Sequence, residues 1–384
     1  MMINEFDLLI KSIKKSVLND DEEFALINID YRSLLRISKF HDVSHLVYYA
    51  LKDNNHFKEC KEYCEFKKCY DLALIRDVRR DYGLKLVKHV FKKIKKPFII
   101  LKGPNLLTLY PKSWMRTSAD IDIFIKKDDL TVVTNAFTKL GAGNLVDGAH
   151  HLSFDINGDI HIEIHYLLIE EKPFYKAYNY LINVWNNALL KDNDSYEYSL
   201  SLDDSYIYHI VHMAKHFING GCGIRSIIDL YLINELLIND FDSVDCILKD
   251  IGLFEFKKQM SELAINWFNN TNDLVIDDLG LYIINGGIYG TIKQNVIVKK
   301  TTNKRFLYYF KRIFLPFKMM KRKYYVLSDL PFLLPIFWII RLFRLFKKGT
   351  RNKVLEEINA EKSINKSDVV KTKELLNKLG IDYL

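Results

Sequence analysis

Three carboxylates in this chain stand where strand geometry would bring them together. Asp120 and Asp122 are two residues apart in Ala119-Asp-Ile-Asp-Ile-Phe-Ile125, and Glu163 lies in Ile160-His-Ile-Glu-Ile-His165. Both stretches alternate strictly, so each reads as a strand with isoleucines on one face and polar side chains on the other. Asp120 and Asp122 then project together, as do His161, Glu163 and His165. If the two strands are neighbours, the three carboxylates share one surface. Unit charges ~4 Å apart repel by about 4 kcal/mol at an effective dielectric near 20, so such a trio needs a cation. Mg²⁺, or Mn²⁺ in its place, prefers carboxylate oxygen and commonly shares its shell with substrate phosphates. An Asp-x-Asp pair alone on a solvent-facing strand needs no function. A zinc site of His161, Glu163 and His165 is disfavoured, because alternate strand side chains lie about 7 Å apart and the spacing is not that of HExxH.

Neighbouring residues add to the trio. Lys102-Gly103 closes the apolar run Phe98-Ile-Ile-Leu101, where a backbone turn and a cation could meet phosphate. Arg116 and Ser118 stand just before the Asp pair. Lys102 is either a phosphate contact or a solvated turn lysine; Arg116 is either a bidentate phosphate fork or an ion-pair partner of Asp120. His165 orients Glu163 or the substrate, or is a satisfied structural histidine. His150 and His151 carry little signal.

The elements that must position these residues follow from periodicity. Residues 4–52 read as helical, with Phe6, Leu9, Ile10, Ile13 and Val17 at helical spacing. A second helix is expected over about 66–95, with Leu72, Ile75, Val78, Tyr82, Leu86, Val90 and Ile94 in register, closed by Pro97. The run 98–101 reads as a buried strand and 105–110 as a brief helix. Residues 128–140 read as a further helix ending at Gly141. Asn157-Gly158 is a hairpin signal between strands at 150–156 and 159–168. From 173 onward the pattern is mostly helical. The fold class is therefore α+β, a small mixed sheet flanked by helices. Four regions are expected: a helical N-terminal part (1–95), an α/β core (96–172), a helical domain covering the site (173–300) and a basic helical C-terminal region (301–384).

With these residues in place, the chain resembles the uncharacterised nucleotidyltransferase family of the polymerase-β-like superfamily. The resemblance rests on Leu101-Lys-Gly103, on Arg116-Thr-Ser-Ala-Asp-Ile-Asp-Ile123 and on Ile162-Glu-Ile-His165. It continues in Tyr208-His-Ile-Val-His212-Met-Ala-Lys215-His216, in Ile224-Arg-Ser-Ile-Ile-Asp229 and around Trp338-Ile-Ile-Arg341, spanning about 70 to 346. The wider superfamily has Gly-Ser after its first strand; here Pro104 follows Gly103. The resemblance implies that Asp120, Asp122 and Glu163 hold divalent metal and carry catalysis, with Glu163 helping to activate an acceptor hydroxyl. It implies an NTP substrate, with Lys102, Gly103, Arg116, Ser118, His165, Lys215, His216 and Arg225 as candidate nucleotide contacts. For Arg225 and Asp229 an intrahelical ion pair is the simpler expectation. Gly220-Gly221-Cys-Gly223 lacks the GxxxxGK[ST] form and is no P-loop.

Composition bounds the remaining choices. The chain has 384 residues, 49% hydrophobic and 27% charged, close to ordinary globular proteins, which excludes collagen-like and wholly disordered classes. Five cysteines form no CxxC and no even framework, as in a protein with reduced thiols, and the first sixteen residues do not read as a signal peptide; a cytoplasmic location is expected. Charge is unevenly placed. Residues 293–353 hold seventeen Lys and Arg against one acid, Asp329, a net +16, so the rest carries −8 against the total of +8. Within that segment Leu330–Ile340 is uncharged, yet too short to span a bilayer and broken by Pro331 and Pro335. A buried helix with a basic outer face, peripheral contact with anionic lipid at the inner membrane face, and a platform for RNA or a phosphorylated acceptor all fit the pattern. The competing functional class is a nucleotide-binding or membrane-surface interaction protein without turnover.

Overall fold

The computed structural model describes residues 2–20, 26, 28–101, 104–118, 120–148, 150–192, 195–236, 241–269, 274–288, 290–302, 314–344, 356 and 359–382. Helices α1 (Met2–Val17), α2 (Tyr31–Phe40), α3 (Ser44–Leu51), α4 (Asn55–Lys58) and α5 (Tyr63–Ile94) precede strand β1 (Phe98–Ile100). Next come α6 (Pro104–Leu107), β2 (Asp120–Ile125), α7 (Leu130–Lys139), β3 (Gly143–Asp147), β4 (His151–Ile156), β5 (Ile160–His165), α8 (Tyr175–Leu181), β6 (Leu189–Leu190) and β7 (Glu197–Ser199). The remainder is helical: α9 (Leu202–Ile218), α10 (Ile224–Leu236), α11 (Asp242–Ile251), α12 (Phe254–Phe268), α13 (Asp278–Gly286), α14 (Ile292–Thr302), α15 (Phe317–Lys323), α16 (Leu334–Arg344) and α17 (Lys366–Lys378). This is the expected α+β class, a seven-stranded mixed sheet flanked by helices.

Strand order is β3-β4-β5-β2-β1-β7-β6. The β2–β5 and β1–β7 pairs are parallel and the others antiparallel. Alternation explains the two faces of the sheet. Ile121, Ile123 and Ile125 of β2, with Ile160, Ile162 and Ile164 of β5, pack against Val87, Val90 and Phe91 of α5 and Val133 and Phe137 of α7. The opposite face, through Ile99, Leu101 and Phe124, joins the larger core shared with α1, α3, α9, α10 and α12. Helix α5 approaches closely at Gly83: a Cβ there would lie 2.5 Å from Ile121 Cδ1 and 2.9 Å from Ile160 Cγ2. The carboxylate-bearing strands thus rest directly on the α5 backbone.

The hairpin forms as expected, with Asn157 (φ 53°) and Gly158 (φ 75°) both left-handed, the pattern of a two-residue I′ turn. Other expectations are corrected. The helical stretch 4–52 is three helices, with left-handed Asn19 and Asp42 in the breaks and Asp30 capping α2 through Arg32 N and Ser33 N. On α5 the in-register residues Leu72, Ile75, Val78 and Tyr82 are exposed, whereas Val90 is buried and Leu86 and Ile94 pack against the sheet-side core as the register expects; Phe66, Ala73, Arg80, Gly83, Val87 and Phe91 complete the buried face. Strands β3, β6 and β7 carried no alternating signal. β3 and β6 are the sheet edges and leave Leu145, Val146, Leu189 and Leu190 exposed. All five cysteines are free. No helix among the described residues is long and apolar enough to cross a membrane.

Candidate active site

The parallel pairing of β2 with β5 sets Asp122 level with Glu163, Asp120 level with His161, and Phe124 level with His165. The two acidic strands are therefore neighbours, and the three carboxylates share one face. Asp122 is buried; Asp120 and Glu163 are half-buried. His165, itself buried, donates from Nε2 to Asp122 Oδ1 at 3.0 Å and lies 3.3 Å from Glu163 Oε2. The His165 imidazole against Glu163 Oε2 holds the Glu163 carboxyl below the usual carboxylate range, against the opposing effect of its burial. His161 bonds to Asp155, its Nδ1 2.7 Å from Asp155 Oδ1, with its Nε2 3.8 Å from Glu163 Oε1. Burial alone would lower the His161 pKa, but Asp155 and the nearby Asp120 raise it.

Strand β1 registers its exit against the same residues, since Leu101 N donates to Asp122 O at 2.9 Å. Lys102 and Gly103 follow at once and lie outside the described residues. Ser118 donates from Oγ to Asp120 O at 2.9 Å.

Asp120, Asp122, Glu163 and His165 line a cleft of about 270 Å³ between the sheet and helices α9 and α10, and His161 does not. Lys215, His216 and Arg225 all reach it, as do Arg116 and Ser118. Lys215 Nζ is 3.3 Å from His150 Nε2, and His216 Nε2 is 3.2 Å from His212 Nε2. Arg225 donates to Thr117 O at 2.8 Å, with Asp42 Oδ2 3.8 Å away. Two expected ion pairs are corrected here. Asp229 does not pair with Arg225, nor Arg116 with Asp120. Arg116 instead forks onto Asp229 through Nε and Nη2 at 2.8 and 2.9 Å, and Tyr110 Oη donates to the same carboxylate at 2.7 Å. Burial would raise the Asp229 pKa, but the guanidinium holds it below the usual range.

Sequence reasoning missed several lining residues. His150 and His151 lie beside His165 with their rings tilted to it, centroids 5.7 and 5.2 Å away. His209 also lines the cleft. The available signal was spacing, because His209, His212 and His216 follow i, i+3, i+7 on one face of α9. Arg80 donates to Arg116 O at 2.8 Å and Ser113 O at 3.0 Å and pairs with Asp77, which ties the segment before β2 to α5.

Carboxylates on adjacent strands, faced across a cleft by Lys, Arg and His, make a site suited to phosphoryl or nucleotidyl transfer. The family model described as uncharacterised nucleotidyltransferase matches residues 28–269, and the chain belongs to that family. No curated protein and no solved structure matches the chain.

Proposed function

We propose that the protein transfers a nucleoside monophosphate from an NTP to an acceptor hydroxyl in a polymerase-β-like, divalent-metal-dependent reaction that releases pyrophosphate. The observation that carries this reading is the parallel register of Asp122 with Glu163, which sets the carboxylates beneath the cations of α9 and α10. The donor set fits the metal: Asp122, Glu163 and His165 each offer an atom, all within 4.8 Å of one another, and Asp120 lines the same cleft. Asp120, Asp122 and Glu163 would hold Mg²⁺ or Mn²⁺, which when bound neutralises phosphate charge and lowers the pKa of an attacking hydroxyl.

In this reading Lys215, His216 and Arg225 bind the triphosphate, and Ser118 shapes the approach to Asp120. The acceptor oxygen bonds to the α-phosphorus as the bond to the β-phosphate oxygen breaks, and pyrophosphate leaves with that electron pair. Glu163 receives the acceptor proton and passes it to solvent, while His165 orients Glu163 and Asp122. Arg116 acts indirectly, by fixing α10 against the segment that leads into β2. The test is metal-dependent transfer of label from an α-labelled NTP, lost in an Asp120→Asn, Asp122→Asn double variant. Metal-dependent NTP binding without transfer to any acceptor would favour a binding role instead.

A second reading concerns where the site works. Helix α16 packs Leu334, Phe337 and Trp338 against a small cluster of Met320, Tyr324 and Leu327. It exposes Ile336, Ile339 and Ile340, and Phe332 just before it is 73% exposed. Apolar side chains facing out of a segment with net +16 suit the surface of an anionic bilayer, and an acceptor held there. Flotation with vesicles of anionic against neutral lipid tests this. Equal behaviour on both would leave a cytoplasmic enzyme with a soluble acceptor, RNA or a phosphorylated small molecule among them.

A further inference from the structure

Asp122 stands between two differently equipped neighbours. On the parallel strands β2 and β5, Asp120 is level with His161, Asp122 with Glu163, and His165 with Phe124. Asp120 and His165 thus lie at opposite ends of a four-residue length of sheet, about 13 Å of strand at the usual rise. No single ion at Asp122 can take both as close ligands. The end toward Asp120 offers carboxylate oxygen. The other end offers carboxylate oxygen and an imidazole: His165 Nε2 lies 3.0 Å from Asp122 Oδ1 and 3.3 Å from Glu163 Oε2, and the ring is buried.

We infer that the two metal positions flanking Asp122 are chemically unequal. One is reached by Asp120 and Asp122 through oxygen alone. The other is formed by Asp122, Glu163 and His165, whose Nε2 bears the proton donated to Asp122 when no ion is bound and gives its lone pair to the ion in place of that proton; this nitrogen selects a first-row divalent transition ion over Mg²⁺. Mg²⁺ takes oxygen donors and rarely nitrogen, whereas transition ions accept imidazole readily. The inference rests on the metal-dependent reading above and adds His165 to the ligands.

A competing group, His150, His151 and His165, also brings three donor atoms within 4.8 Å. Charge favours it less: none of its three donors is a carboxylate, and Lys215 Nζ, 3.3 Å from His150 Nε2, opposes the Glu170 carboxylate 3.4 Å from His150 Nδ1 and the Glu163 carboxylate 3.9 Å from His151 Nε2. The Asp122–Glu163–His165 position instead has two carboxylates to balance a divalent charge. His165 therefore serves the carboxylate side, and Lys215 keeps the neighbouring imidazoles for anions.

The test uses the full chain with Mn²⁺ as a paramagnetic probe, read by pulsed electron paramagnetic resonance for nitrogen bonded to the ion. The expected wild-type spectrum shows imidazole ¹⁴N coupling, which disappears in His165→Gln and persists in Asp120→Asn. Mn²⁺ affinity in His165→Gln should fall by about tenfold or more. Displacing the nitrogen-coupled ion should take on the order of tenfold more Mg²⁺ than Mn²⁺ present. The wild-type spectrum decides even if His165→Gln does not fold, which circular dichroism would report. Bound Mn²⁺ without nitrogen coupling, or coupling that survives in folded His165→Gln, overturns the inference and leaves metal-dependent transfer standing. Failure to bind Mn²⁺ at all, with and without a non-hydrolysable NTP analogue, overturns both.

Discussion

Arg116 holds Asp229 by two parallel hydrogen bonds, Nε to Oδ1 at 2.8 Å and Nη2 to Oδ2 at 2.9 Å, and both side chains are buried. The pair joins the segment before β2 to helix α10, so the wall that carries Arg225 is fixed to the strand that carries Asp120 and Asp122. Removing one partner leaves a buried charge without its counter-ion, at a typical cost of about 3–5 kcal/mol. Arg116→Ala should therefore lower the urea unfolding midpoint sharply. Arg116→Met with Asp229→Leu should recover much of that stability, since no charge is then stranded. A variant that loses NTP binding at wild-type stability would contradict this assignment.

A second prediction concerns acid. His41 is fully buried at the end of α2; its Nε2 donates to Ile284 O at 3.1 Å, and Ile224 N donates to its Nδ1 at 3.3 Å. Both ring nitrogens are committed to the neutral form. Burial, partly offset by the Ile284 carbonyl, lowers the pKa from 6.5 to about 4. The folded value lies below the unfolded one, so this stability is complete above about pH 6.5 and is lost as pH falls toward 4. The loss should reach about 3 kcal/mol. Urea titrations at pH 7.5, 6 and 5 should show a steeper decline in the wild type than in His41→Gln; parallel slopes would refute it.

How much of this was legible beforehand depends on burial. Strands β2 and β5 were readable because Ile121, Ile123, Ile160, Ile162 and Ile164 are buried on one face with polar residues between them, which leaves a period of two. That period also put Asp120, Asp122 and Glu163 on one face; their being on adjacent strands required the fold. On the edge strands β3 and β6 the adjacent apolar residues Leu145, Val146, Leu189 and Leu190 are all exposed and write no such pattern. The α5 stripe misled for the opposite reason. Leu72, Ile75, Val78 and Tyr82 keep helical spacing but face outward; the stripe meets the core only from Leu86 onward, through Val90 and Ile94, and the closest approach to β2 and β5 is at Gly83, which has no side chain to announce it. The partner of Arg116 was also hidden, because Asp229 is 113 residues away in sequence.

The β4–β5 turn separates strain from space. Gly158 has φ 75°, and a Cβ built on it meets nothing within 4 Å. Gly158→Ala should therefore cost about 1–2 kcal/mol through the left-handed backbone alone. Gly158→Asn should cost less, since Asn tolerates that region. Thermal unfolding of the two variants checks the order, and equal losses would show that the turn relaxes.

Cation binding should also be visible as stability. If Asp120, Asp122 and Glu163 hold a divalent ion only when folded, Mn²⁺ at a hundred times its dissociation constant should stabilise the wild type by about 2.7 kcal/mol. The Asp120→Asn, Asp122→Asn variant should show no metal-dependent rise in Tm. A rise of equal size in both proteins would place the ion elsewhere.

The most direct test of the central claim is transfer itself. The purified 384-residue protein would be incubated with α-³²P-labelled ATP, GTP, CTP and UTP, Mg²⁺ or Mn²⁺, and total cellular RNA, protein or small-molecule extract as acceptor. The account predicts label on one acceptor class with release of pyrophosphate, and background counts without metal or in the Asp120→Asn, Asp122→Asn variant. Label transfer that persists in the folded double variant would contradict it, because the reaction would then run without the carboxylates on which the account rests.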